Sequence, residues 1–214
     1  MSKNPKPKTQ NLLLIFTRNP ELGKVKSRLA KDVGDEQALA IYQFLLRHTV
    51  AVTKGLAVTK QVHYSVKIRE NDLWDATIYD KKQQRGTDLG IRMRHAFEQG
   101  FAEGYQNIII IGSDLYDLTQ EDLENAFLQL ENHEAVIGPA TDGGYYLLGF
   151  KKMVPTIFSH KEWGTDTVLQ ATLTDLKNYA LAILEARNDV DYLEDIEDIP
   201  DFQEFLVQKR MKTT

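Results

Sequence analysis

The sequence predicts a three-layer α/β domain whose central sheet is mostly parallel. Two observations carry that expectation. Short apolar runs, LLLIF at 12–16, IIII at 108–111 and AVIGPA at 135–140, are bounded by polar residues, as strands buried on both faces are. Between them lie longer segments whose apolar residues recur at helical spacing, and this alternation marks strand–helix–strand units.

Taken in order, residues 1–10 are Lys- and Pro-rich and read as a disordered basic arm, which leaves 11–214 as a single domain. The first strand, 12–16, runs into a loop with Pro20 and Gly23, and a helix is expected to start near Val25. Leu39, Tyr42, Leu45, Leu46 and Val50 define an amphipathic helix over 36–54. QVHYSVKI at 61–68 alternates as a strand does, and 77–79 is a weaker strand. The stretch 83–104 is a loop followed by a helix with Leu89, Met93, Ala96, Phe97 and Phe101 on its buried face. After the isoleucine strand, Thr119 caps a helix to about Leu130, with Glu121 and Asp122 in its first turn. Strands at 135–140 and 144–150 are close enough in sequence to form a small antiparallel excursion. A helix over 167–178, a strand over 180–186 and a closing helix over 201–210 complete the order.

Composition narrows the function. The chain has 214 residues, 42% of them hydrophobic, and a net charge of −5, which gives no electrostatic footprint for nucleic acid. The absence of cysteine removes disulfides, thiolate metal sites and a cysteine nucleophile, and fits a cytoplasmic protein. The polar N-terminus is not that of a signal peptide, and no apolar stretch is long enough to span a membrane. The five histidines lack metal-ligand spacing, and neither a G-x-S-x-G nor a G-x-G-x-x-G motif is present. Trp74 and Trp163 read as core or rim aromatics.

Open α/β sheets bind ligands beyond the carboxyl ends of their strands. The first such end leads into a loop with Arg18, Lys24, Lys26 and Arg28, four cations within eleven residues. Gly23 would let a phosphate approach the backbone, although a solvated basic loop explains the same charges. Carboxylates follow the later strands: Asp114 after the isoleucines, Asp142 after VIGPA, Asp189 and Asp191 after LEA. Each alone suits a turn or cap; together they suit Mg²⁺ or Mn²⁺, which takes hard oxygen ligands. Gly143 and Gly144 allow a tight turn and also the approach of a ribose or acceptor near Asp142.

Four segments, FTRNPELGKVKSRL, GTDLGIRMRHAF, IIIIGSDLYDLT with VIGPATDGGYYLLGF, and WGTDTVL with NDVDYLEDI, resemble the bacterial rSAM/selenodomain-associated transferases. That family is placed in the glycosyltransferase-A, or nucleotide-diphospho-sugar transferase, superfamily, which also contains 2-phospholactate and molybdenum-cofactor guanylyltransferases. The resemblance implies a Rossmann-like glycosyltransferase-A fold. It implies a nucleotide site on the first loop, at Arg18, Lys26 and Arg28; Gly23, Asp88, Asp142, Gly143 and Gly144 are further candidates for nucleotide binding. It further implies a divalent metal on Asp114 and on the late D-x-D, Asp189 and Asp191, with Lys26 and Asp114 catalytic. The expected reaction is nucleotidyl transfer from an NTP to a small phosphorylated or hydroxyl acceptor. Glycosyl transfer from an NDP-sugar and a non-catalytic nucleotide- or sugar-binding module are the alternatives. The expected partners are the small-molecule nucleotide and acceptor, without nucleic acid or membrane. Leu115 and Tyr116 stand where the family has cysteine and proline, and Leu22 replaces a second proline. Tyr116 is therefore expected to bring bulk and a hydroxyl near the metal and to influence acceptor choice.

Overall fold

The computed structural model describes residues 10–206. One seven-stranded sheet forms the middle layer, in the order β3-β2-β1-β4-β6-β5-β7. Its strands are β1 (Asn11–Thr17), β2 (Thr59–Tyr64), β3 (Tyr79–Gln83), β4 (Asn107–Ile111), β5 (Ala135–Pro139), β6 (Tyr145–Phe150) and β7 (Leu181–Ile183). Only β6 runs against its neighbours, pairing antiparallel with β4 and β5. It is the antiparallel excursion read from the closeness of the two runs.

Alternate residues of each strand feed opposite cores, which is why the central runs are apolar throughout. Leu13, Ile15, Ile109 and Ile111 pack on one side with α2 (Asp35–Thr53) and α4 (Gln120–Asn132). Leu12, Leu14, Ile108 and Ile110 pack on the other with α3 (Leu89–Ala102) and α5 (Val168–Leu176). All four isoleucines are at most 3% exposed, and burial of such a side chain contributes roughly 1.5–3 kcal/mol. Thr119 and Asp122 form a reciprocal capping box at the start of α4, worth about 1 kcal/mol.

Several boundaries differ from the sequence expectation. No helix starts near Val25: residues 22–24 and 27–29 are turns separated by an irregular stretch at 25–26, and the short α1 (Ala30–Val33) follows them. β2 starts and ends earlier than 61–68, leaving Val66 and Ile68 exposed beyond it. Its polar Lys60 and His63 are buried with partners of their own, the Leu56 carbonyl and Gln61. The weak strand lies at 79–83 rather than 77–79, because Asp75 accepts hydrogen bonds from the Thr77 amide and hydroxyl and holds that residue in a turn. Leu89 is 44% exposed instead of buried. β7 has three residues, extended by a single bridge between Ala140 and Arg187.

The basic arm expected over 1–10 lies outside the described residues except for Gln10, whose carbonyl accepts from the Gln106 and Asn107 amides. The closing helix begins as a 3₁₀ turn, Pro200–Phe202, and is helical over 203–206; its expected remainder lies outside the described residues. No helix among the described residues is long and apolar enough to cross a membrane.

Candidate functional site

At the carboxyl ends of the parallel strands a cleft of about 860 Å³ opens between the β1 loop and the loops after β4 and β7. Arg18, Lys24, Lys26 and Arg28 line it together with Asp114, Asp189 and Asp191. β1 and β4 pair directly and run parallel, so their carboxyl ends lie side by side. The β7 loop arrives next to them through two ties. The Val190 amide donates to the Asp114 carbonyl at 3.3 Å. Arg187 donates to the Asp117 carbonyl and to Asp122, each at 2.7 Å.

One carboxylate oxygen from each of Asp114, Asp189 and Asp191 lies within 4.8 Å of the others. An octahedral Mg²⁺ with bonds of about 2.1 Å needs ligand oxygens about 3 to 4.2 Å apart, a small contraction of this cluster. The donor set, all carboxylate oxygen, suits Mg²⁺ or Mn²⁺. The cluster also already holds a cation. The Lys26 ammonium, 4% exposed, donates to Asp114 at 2.9 Å and to Asp191 at 3.0 Å. Arg28 donates to the other oxygen of Asp191 at 3.0 Å and lies over the Tyr192 ring. Lys26 reaches the carboxylates from a left-handed backbone, φ 47°, a conformation that costs a non-glycine residue on the order of 1–2 kcal/mol.

The electrostatics follow from this crowding. Burial pushes the Lys26 ammonium toward neutrality, but Asp114 and Asp191 outweigh it and hold its pKa above the usual lysine value. Burial raises the Asp114 carboxyl, yet Lys26, and at longer range Arg18, bring it below its ordinary value. For Asp189 the balance is reversed: burial, then the charges of Asp114, Asp191 and Asp142, outweigh the Lys26 charge and raise its pKa from 3.8 to about 6. In the metal-free chain Asp189 keeps a proton that the unfolded chain has lost between those two values. Its contribution to stability is therefore present below about pH 4 and lost as the pH rises to about 6. A divalent ion needs the ionised form. Mn²⁺ affinity should thus fall about fivefold from pH 6 to pH 5 and level off above pH 7, a profile that calorimetric titration across pH would measure; a flat profile would remove Asp189 from the ligand set.

The remaining residues singled out in the sequence take more structural positions. Asp88 lines the cleft and caps α3, accepting from the Ile91 amide at 2.9 Å. Asp142 also lines the cleft and accepts from the Gly144 amide at 2.8 Å, closing the turn. Gly23, Gly143 and Gly144 are not among the cleft-lining residues. Gly23 and Gly143 have positive φ, and a Cβ on Gly143 would meet the Asp166 carbonyl oxygen at 2.3 Å. The bare backbone at Gly143 admits the 162–167 loop, not a ligand. Tyr116 is a correction. Its ring turns away from the carboxylates and packs on Phe44, His48 and Phe202, while its hydroxyl donates to Asp201. It anchors the C-terminal segment and does not border the cleft.

The sequence reading missed a buried hydroxyl network under the basic loop. Tyr42 on α2, read as one more apolar position, contacts Thr17 at 3.2 Å and Ser113 at 3.3 Å and accepts from the Arg18 amide at 2.9 Å. It joins the ends of β1 and β4 and fixes where the loop leaves the sheet. The available signal was a single polar tip in an aliphatic helix face. Arg92 and Gln84 also line the cleft. Gln84 is held by the His63 carbonyl at 2.9 Å, and Arg92 donates to the Gly86 carbonyl at 3.0 Å.

Solved structures with the same architecture are numerous. A protein from Desulfovibrio desulfuricans G20, provisionally assigned as a nucleotide-diphospho-sugar transferase, is 29% identical with a TM-score of 0.83, over 95% of this chain and 96% of that one. The 4-diphosphocytidyl-2C-methyl-D-erythritolsynthase from Anaerococcus prevotii DSM 20548 is 9% identical with a TM-score of 0.57, over 91% of this chain and 97% of that one. Rv0371C from Mycobacterium tuberculosis H37Rv, solved in complex with manganese, is 13% identical with a TM-score of 0.50, over 90% of this chain and 99% of that one. The fold is that of the nucleotide-diphospho-sugar transferase superfamily. No protein of curated function matches the chain by sequence. The family DUF2064, described as "Uncharacterized protein conserved in bacteria", matches residues 45–165, more than half of the sequence, and the chain belongs to it.

Proposed function

We propose that this protein is a divalent-metal-dependent transferase acting on a nucleotide-activated substrate, with nucleotidyl transfer from an NTP as the leading reaction. One observation carries the proposal: three carboxylates converge within 4.8 Å in a cleft that is also lined by four cations of the β1 loop, two of which, Lys26 and Arg28, bond to them. The likeness to the D. desulfuricans transferase supports it. Asp114, Asp189 and Asp191 would hold Mg²⁺ or Mn²⁺, which when bound supplies charge neutralisation and a template for the reacting phosphate. Arg18 and Lys24 bind phosphate oxygens from the open side of the cleft. Arg28 holds Asp191 in place, and Lys26 and Arg28 add positive charge where the transferred phosphate gains negative charge. Tyr42, Thr17 and Ser113 position the loop that carries Arg18. Such chemistry is mostly positioning and charge stabilisation, so it requires no strong base in the cleft.

Glycosyl transfer from an NDP-sugar is the second reading, and a specific observation favours it. Five cations and five carboxylates line the cleft, so its walls are electrically balanced. One divalent ion then offsets the about two negative charges of an NDP-sugar, whereas an NTP with about four requires a second ion. Differential scanning of the protein with NTPs and with NDP-sugars, with and without Mg²⁺ or Mn²⁺, separates the readings. Metal-dependent stabilisation by NTPs alone supports nucleotidyl transfer, and the reverse selects glycosyl transfer. No metal-dependent response to either class would defeat the transferase proposal and leave a binding module.

A further inference from the structure

Beside the cleft, and sharing Gly112 and Asp142 with it, lies a second pocket of about 220 Å³. Its walls are Phe16, Leu89, Met93, Tyr145, Trp163 and Val168. A cavity of about 150 Å³ suffices for benzene, so this pocket has room for a ring with a substituent. Trp163 lies flat on α3 because position 90 is glycine: a Cβ there would come within 2.5 Å of the indole nitrogen. Leu89 leaves a large apolar side chain exposed at the rim shared with the cleft.

Two polar features break this apolar lining. Asp142 is the only charged side chain among the described residues that line it, and no ion pair to Asp142 forms among them. The Tyr145 hydroxyl, kept protonated by burial, has a single partner among the described residues, the Met93 sulfur at 3.8 Å. A hydroxyl with only a weak sulfur contact keeps capacity for a ligand oxygen. A smaller cavity of about 120 Å³, lined by Asp114, Asp142 and Asp189, connects this region to the carboxylate cluster.

We propose that the pocket is the acceptor subsite and that it selects an uncharged acceptor with an apolar, ring-sized body whose hydroxyl lies against Asp142, facing Asp114. This rests on the transferase reading above. It narrows that reading: a phosphate inside the pocket would meet a carboxylate and no cation, so the acceptor presents a hydroxyl, not a phosphate.

The test uses benzyl alcohol, glycerol and benzyl phosphate as probes. Trp74→Phe removes the other indole, so that Trp163 emission alone reports the pocket, and the melting temperature of the unmodified protein gives a second readout. Benzyl alcohol should half-saturate the Trp163 response at a concentration at least tenfold below that of glycerol or benzyl phosphate. Leu89→Glu, at an exposed first helical position where a carboxylate is favourable, should weaken benzyl alcohol at least fivefold. Equal responses to the three probes, no response, or indifference to Leu89→Glu would overturn the proposal. If benzyl alcohol binds as expected but no nucleotide gives a metal-dependent shift, its assignment as an acceptor fails with the transferase reading. If nucleotides respond to metal and Trp163 does not respond to benzyl alcohol, the pocket proposal fails alone.

Discussion

Asp114→Asn should lower Mn²⁺ affinity by on the order of 100-fold and metal-dependent turnover by on the order of 1,000-fold, with little change in fold. The side chain is 39% exposed, and asparagine preserves its volume, so the substitution removes charge without opening a cavity. It also removes one of the two carboxylates that hold the Lys26 ammonium. A further consequence separates loss of a ligand from general damage. The Asp114 charge is one of the influences that raise the Asp189 pKa, so residual Mn²⁺ binding should keep its strength to a lower pH than in the unmodified protein. Calorimetric titration with Mn²⁺ at several pH values, alongside circular dichroism, would measure both. Unchanged Mn²⁺ and nucleotide binding would instead mark the protein as a non-catalytic binding module.

Lys26→Met should act in opposite directions on metal affinity and on turnover. The ammonium sits 2.9 Å from Asp114 and 3.0 Å from Asp191, where it competes with a divalent ion for the same oxygens. Methionine keeps the length of the side chain without its charge, so Mn²⁺ should bind at least tenfold more tightly, by about 1.4 kcal/mol or more. Turnover should fall on the order of 100-fold, because positive charge beside the transferred phosphate is lost. Without metal the variant should be less stable by about 1–3 kcal/mol at neutral pH, since Asp114, Asp189 and Asp191 lose their counter-charge. Mn²⁺ or acidification toward pH 5 should restore that stability. Any left-handed strain at position 26 is shared by both side chains, so the comparison isolates the charge. Weaker Mn²⁺ binding in Lys26→Met would show that Lys26 organises the carboxylates and does not compete for them.

The parts of the fold legible in the sequence are those governed by neighbours within a few positions. The isoleucine run of β4 had to be buried on both faces because no alternate residue could face water. Thr119 and Asp122, three residues apart, specify the start of α4 by bonding each other's backbone. The closeness of β5 and β6 likewise left room only for a turn and an antiparallel return. Where pattern misled, a polar residue had found a remote partner or an apolar one had been left exposed. Lys60 and His63 carry β2 into the core against their composition, and Leu89 leaves the buried face of α3 to border a pocket.

By itself the sequence determined a parallel-dominated α/β sheet, and it put basic residues after the first strand and carboxylates after the later ones. Those features follow from hydrophobic periodicity and from the polarity of strand ends. Only the tertiary structure decided which of these groups meet. Lys26 reaches an aspartate 165 positions away, Tyr42 bonds a serine 71 positions away, and Tyr116 turns from Asp114, its near neighbour in sequence, toward Phe202. The direction of a side chain beyond a strand end depends on loop closure and on the packing of distant elements, and no local pattern records either.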